Sequence, residues 1–266
     1  VPDQNLTVSI VQQSLAWQAP QENRGRFEQW LQPWQGKTDL VVLPEMFTAG
    51  FSMDARKVAE PPAGETLQWM SGLAAELGAV VTGSYAVATD EGPVNRLIWM
   101  RPDGTYQHYD KRHLFRMAGE HKKYRAGSER IVVELNGWKV CPMVCYDLRF
   151  PVWCRNRSTE LGLDYDLLLF VANWPAKRSY HWSQLLRARA IENLACVVGV
   201  NRIGEDGNGH LYSGDSAIID VRGQALADPG SEAGVFTVTL EADELNSYRE
   251  SFPAWLDSDD FELLED

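Results

Sequence analysis

Three ionisable residues of complementary chemistry stand just past apolar, strand-like runs. Glu45 follows DLVVLP, Lys111 follows YQHYD, and Cys145 follows WKVCPMV. A carboxylate, an ammonium and a thiol together suffice for acyl transfer. The carboxylate can take the thiol proton, the thiolate can attack a carbonyl carbon, and the ammonium can hold the oxyanion that forms. Taken singly, each has a plainer reading, because free Cys behaves as a small hydrophobe and surface Glu and Lys are mostly solvated. The plainer reading suits Cys141 and Cys196, which lie inside apolar runs. Cys145 differs: at CYDLRFPVW the chain passes from strand to helix. A nucleophile on such a turn projects from the backbone, and the next amide N–H, that of Tyr146, can face a developing oxyanion.

The elements that must position these residues are legible from hydrophobic period and turn chemistry. Residues 6–12 alternate as a strand, and 21–34 carry Phe27, Trp30, Leu31 and Trp34 at helical spacing. Residues 39–44 form a short buried strand stopped by Pro44, and 64–78 an amphipathic helix stopped by Gly78. Strands follow at 79–87, 95–101 and 106–111. Asn136-Gly137 between two β-rich runs predicts a hairpin with a type I′ turn. Pro151 predicts a helix over 151–161, then come a strand at 166–173, a helix at 179–193 and a strand at 195–201. DSAIIDV and VFTVTL are the last strands, and a short helix at 241–249 precedes the acidic end. With no linker, repeat or low-complexity segment in view, 1–266 is expected to be one α/β domain with an acidic tail at about 256–266.

Composition narrows the function classes. The 266 residues are 44% hydrophobic and 11% aromatic, enough for one large core. The net charge is −12, the last ten residues alone carry six acids, and no Lys/Arg run offers a phosphate-binding stripe. Nucleic acid is therefore not an expected partner, and the tail reads as a solvated end, with docking as the minor alternative. No apolar run approaches the ~18 residues a membrane span needs. VPDQNLTVSIVQ begins an alternating strand and lacks the basic start and apolar core of a secretory leader, so a cytoplasmic location is expected. Four sparse cysteines do not make a disulfide framework, and Cys141 and Cys145 lack the second ligand pair of a zinc site. No metal and no cofactor is expected.

VVLPEMF (41–47), YDKRHLF (109–115) and VCYDLRFP (144–151) resemble the three signature segments of the nitrilase superfamily, the carbon–nitrogen hydrolases. The resemblance runs to about residue 240, and NWP (173–175) and RARAIEN (187–193) look like the family's later landmarks. It implies a four-layer α-β-β-α sandwich, a homodimer, and a Glu45-Lys111-Cys145 triad acting through a thioester. It places Glu120, in GEHKKYRAG, where the family has an accessory Glu that orients the lysine. One departure falls at Arg116, where many members carry an acid, and it puts the local loop geometry in question.

CYDLRFPVWCRN and the chain length resemble bacterial ω-amidases, within a small-amidase branch that also holds deaminated-glutathione amidases. The implied substrates are the ω-monoamides α-ketoglutaramate and α-ketosuccinamate, hydrolysed to the dicarboxylate and ammonia after glutamine transamination or in methionine salvage. Arg149 could take a substrate carboxylate, since a guanidinium matches it bidentately, or could brace Asp147 or a neighbouring loop instead. Trp174, Phe47 and Phe115 could wall the pocket or be plain core. His113 is expected to hydrogen-bond backbone near the site, and His181, Glu192 and Asn193 to be structural. Two other readings stay open: an amidase for deaminated glutathione or another small amide, and, in a different class, a catalytically silent scaffold. An intact triad argues against the latter.

Overall fold

The computed structural model describes residues 1–159 and 162–263. Its core is two six-stranded sheets with the same plan. In the first, Leu6–Gln12, Leu40–Val42 and Val80–Thr89 run parallel, with Gly92–Met100 and Tyr106–Asp110 added antiparallel on one side and Gly234–Leu240 on the other. In the second, Trp138–Val144, Leu167–Val171 and Cys196–Val200 are the parallel trio. Val133–Leu135 flanks them on one side, and Ala217–Ile219 with Ala225–Ala227 on the other, all antiparallel. Leu40–Val42, Leu167–Val171 and Cys196–Val200 are buried at every position, which is why they read as continuous apolar runs.

Four layers follow from where the apolar faces go. Side chains alternate across a strand, and on the first sheet this sends Val8, Ile10, Val42 and Trp99 inward to meet Trp138, Val140 and other residues of the second sheet. On the outer face of the first sheet, Val41, Leu43, Val81 and Tyr85 pack under Phe27 and Leu31 of helix Pro20–Leu31 and Met70, Leu73 and Leu77 of helix Glu65–Leu77. On the outer face of the second, helix Ser179–Asn193 lays Trp182, Leu186 and Ala190 over strand Cys196–Val200. Gly199 permits that approach, since a Cβ there would lie 2.5 Å from Leu186 and 2.9 Å from Trp182. The layers are helix, sheet, sheet, helix.

Local chemistry accounts for most element ends. Gly78 closes its helix in the left-handed conformation at φ 65°. Asn136 and Gly137, at φ 51° and 78°, make the expected I′ turn. The helix expected over 151–161 stops after Pro151–Cys154. Arg155 is extended, and the Asn156 side chain is claimed by the Tyr165 carbonyl at 2.8 Å and the Asn193 carbonyl at 3.1 Å. Residues 160–161 of that expectation lie outside the described residues. A hairpin of Ile203–Glu205 and Leu211–Ser213 is an addition to the elements expected from sequence. The acidic end lies along the body as far as residue 263: Phe261 and Leu263 share a cleft with Val152 and Trp153, and Asp259 and Glu262 one with Arg155 and Arg157. Residues 264–266 of the tail lie outside the described residues. Among the described residues no helix is long and apolar enough to cross a membrane.

Candidate active site

The two sheets each contribute strand ends to one place. Glu45 leaves the first sheet after Leu40–Val42, where the Leu43 N–H still bonds the Thr82 carbonyl at 2.8 Å. Met46 then turns left-handed at φ 47°, fixed by its N–H on Ser84 Oγ at 3.0 Å. Lys111 follows edge strand Tyr106–Asp110, and its N–H extends the ladder to the Asn95 carbonyl at 3.0 Å. Cys145 leaves the second sheet after Trp138–Val144 with φ 45°, a conformation that costs a non-glycine residue about 1–2 kcal/mol.

Asp147 holds that turn. Its Oδ2 accepts the Val144 N–H at 3.0 Å and the Tyr109 hydroxyl at 2.8 Å, and its Oδ1 meets the His113 N–H at 3.0 Å and His113 Nδ1 at 2.7 Å. Tyr109 in turn accepts from Trp153 Nε1 at 3.0 Å. His113 therefore bonds a carboxylate rather than the expected backbone group, and it stacks on Phe150 with centroids 3.8 Å apart. Asp147 is fully engaged by these groups, so Arg149 is not its brace; Arg149 instead meets Trp174 and His181, on the neighbouring loop and the helix after it.

Glu45, Lys111 and Glu120 meet with no solvent exposure. Lys111 Nζ donates to Glu45 Oε1 at 2.9 Å and lies 3.1 and 3.0 Å from the two oxygens of Glu120. Glu120 Oε2 also accepts the Phe115 N–H at 2.6 Å. Arg116 opens the short turn Arg116–Ala118 beside it, and Glu120 still reaches the lysine. Asn95 Nδ2 donates to Glu45 Oε1 at 2.8 Å, and the Asn173 N–H to Glu45 Oε2 at 2.8 Å. The Cys145 thiol faces the Asn173 carbonyl at 3.9 Å.

Burial works against the Lys111 ammonium, but Glu120 and Glu45 together outweigh it and raise its pKa, so it stays charged. Burial raises Glu120, opposed by Lys111. Burial and then the Glu45 carboxylate push the Cys145 thiol well up, with Lys111 only partly offsetting them. These surroundings favour the thiol form of Cys145 over the thiolate.

A cavity of about 210 Å³ opens on Cys145 and Lys111. Tyr146, Arg149, Trp174 and Phe115 line it, as does Phe51, whose ring centroid is 5.1 Å from Lys111 Nζ. Phe47 does not: it is buried in the outer core, 5.7 Å from Phe27 and 6.1 Å from Tyr85 between centroids, because its strand exit points it under the helices. Arg149, Lys177 and Arg178 add positive charge, and no Asp or Glu is among the described residues that line the cavity. Arg149 lies 4.7 Å over Trp174 with Nη2 3.1 Å from His181 Nδ1, and Arg178 lies 5.3 Å over Phe115. Burial, and then Arg178, lower the Arg149 pKa. Sequence reasoning does not find Lys177, Arg178, His210 and Tyr212, the last two because it does not find their hairpin. It also passes over Asn95 and Asn173, although NWP marks the loop of the latter. Among the described residues no cluster of His, Cys, Asp or Glu could hold a metal ion.

A carbon-nitrogen hydrolase family model matches residues 7–250. The chain is 51% identical to the omega-amidase YafV of Yersinia enterocolitica over 97% of this chain and 99% of that protein. It is 33% identical to the 2-oxoglutaramate amidase of Bacillus subtilis over 94% and 96%. A solved CN-hydrolase superfamily protein of Xanthomonas campestris, with an arsenic adduct in its active site, superposes with a TM-score of 0.96 at 52% identity, covering 98% of this chain and 99% of that one.

Proposed function

The chain belongs to the carbon-nitrogen hydrolase family, and from that premise we propose that it is an ω-amidase. It hydrolyses ω-monoamides of 2-oxo dicarboxylates, such as α-ketoglutaramate and α-ketosuccinamate, to the dicarboxylate and ammonia. The observation that carries this reading is a buried Glu45-Lys111-Glu120 cluster beside Cys145, at a cavity whose described lining holds cations and no acid.

Glu45 takes the thiol proton as the sulfur attacks the amide carbon. Lys111 and the Tyr146 N–H stabilise the oxyanion. Glu45 returns the proton to the departing nitrogen, the C–N bond breaks, and ammonia leaves a thioester on Cys145. Water, deprotonated by Glu45, then releases the acid and restores the thiol. Glu120 keeps Lys111 charged and oriented. Arg149, with Arg178 beside it, receives the substrate carboxylate, and Trp174 and Phe115 hold the two guanidiniums in place. Similarity to relatives named omega-amidase and 2-oxoglutaramate amidase supports the choice of substrate. The reading takes 1–266 as a single hydrolase domain that works as a homodimer in the cytoplasm, and the four free cysteines suit a reducing compartment.

Ammonia release from a panel of amides tests it, with Cys145→Ala alongside. The keto-acid amides should be the best substrates and the variant inert. Preference for deaminated glutathione would move the enzyme to a neighbouring activity, and turnover by Cys145→Ala would remove the nucleophile assignment.

A further inference from the structure

A carboxylate offers four in-plane lone-pair sites, two on each oxygen. Around Glu45 three of them are taken. Oε1 accepts from Lys111 Nζ at 2.9 Å and from Asn95 Nδ2 at 2.8 Å, which fills it. Oε2 accepts the Asn173 N–H, at 2.8 Å. The same Asn173 places its carbonyl 3.9 Å from Cys145 Sγ and its side-chain Nδ2 on the Glu45 carbonyl. One residue therefore touches the base, the base's backbone and the nucleophile.

We propose that the thiol proton passes to Oε2 of Glu45, and that Asn95 and Asn173 are positioning residues that leave this one site open. The proposal rests on the triad reading above. The S–H bond breaks with its electron pair staying on sulfur, and an O–H bond forms at Oε2. Oε1 remains the doubly hydrogen-bonded carbonyl oxygen of the neutral acid. The donor set thus matches the protonated form as well as the carboxylate, and the proton on Oε2 is free to move to the departing nitrogen.

Both side-chain amides are held at a cost, that of Asn95 by the Glu45 carboxylate and that of Asn173 by the Glu45 backbone carbonyl. Asn95 Oδ1 and Asn173 Oδ1 are buried and without a partner among the described residues. Leaving a buried acceptor unpaired is unfavourable. Flipping Asn95 would set its oxygen against a Glu45 oxygen, so the carboxylate dictates the orientation. Asn95 Nδ2 also lies 3.5 Å from Glu120 Oε1, and it stands between the two carboxylates.

The test is the pH profile of kcat/KM for wild type, Asn95→Ala, Asn95→Ser and Asn173→Ala, with the pH dependence of Cys145 alkylation by iodoacetamide measured on each. Removing the Asn95 donor destabilises the carboxylate, so the acid limb should move up by roughly one pH unit in Asn95→Ala. Serine, which keeps a donor, should restore part of the shift. Asn173→Ala keeps the backbone N–H on Oε2 and removes only the Nδ2 hold on the Glu45 carbonyl, so it should loosen the base and lower kcat roughly tenfold with little change in KM. A limb that stays put in both Asn95 variants, or Asn173→Ala with normal kcat, overturns the proposal. Should Asn95→Ala not fold, Asn95→Ser carries the same comparison. If wild type hydrolyses no amide, the ω-amidase reading fails separately, while a change in the alkylation profile between wild type and the Asn95 variants still supports, and its absence overturns, the positioning of Glu45 by Asn95.

Discussion

Glu45 and Lys111 meet in a 2.9 Å ion pair from which both side chains exclude solvent completely. Such a pair is weak evidence for stability, but breaking it by removing one partner is costly, because the other charge stays buried.

Lys111→Met should therefore abolish turnover and also destabilise the fold by roughly 3–5 kcal/mol. It strands Glu45 and Glu120 together without a cation. Urea unfolding measures the second effect; an unchanged midpoint would mean that the two acids find other compensation.

The Cys145 thiol is pushed well up by burial and by Glu45. Its thiolate ultraviolet absorbance, read as wild type minus Cys145→Ala, should be absent at neutral pH and emerge only in strongly alkaline solution. Glu45→Gln should lower amide turnover by roughly 1,000-fold or more, as expected for loss of an acid–base group that serves both half-reactions. A thiolate signal at neutral pH would show that the nucleophile is preformed.

Arg149→Ala should lower kcat/KM for anionic keto-acid amides by roughly 100-fold, the loss of a bidentate charge-assisted contact, and spare a neutral amide of similar size. Raising ionic strength should weaken the anionic substrates selectively, since Lys177 is exposed and Arg178 only partly buried, and salt screens such charges. Equal losses for charged and neutral amides would make Arg149 a structural residue.

Gly83→Ala should cost roughly 1–3 kcal/mol by overpacking. A Cβ there would lie 2.8 Å from the Leu43 Cβ and 3.0 Å from the Phe47 ring. Because Leu43 and Phe47 bracket Glu45, activity should fall further than stability alone explains, as paired melting and rate measurements would reveal. A variant with wild-type Tm and rate would show that Phe47 can yield.

Much of this is legible in the sequence because the functional groups follow apolar strands whose period is plain, and because Asn136-Gly137 and Gly78 are turn residues with a single use. Glu120 comes from resemblance to a family rather than from its own surroundings. Phe47 misleads because an aromatic after a strand exit looks the same in sequence whether it faces a cavity or a helix layer. Asn95 and Asn173 are hidden for a different reason. Their value lies in which carboxylate oxygen each one touches, and nothing along the chain encodes that. Arg178, His210 and Tyr212 reach the cavity by tertiary packing of a turn and a short hairpin with weak local signals. The helix expected over 151–161 ends early because Asn156 finds long-range partners that helical periodicity cannot foresee.

Glu45 and Lys111 hang from one sheet, Cys145 and Asn173 from the other. A chain in which only one sheet has formed owns either an acid–lysine pair or a thiol with no base and no ammonium beside it, and neither half can turn over an amide. Reactivity arrives when the halves dock. Amide turnover is thus a readout of sheet docking, and any condition that parts the two sheets should silence it even where strands persist.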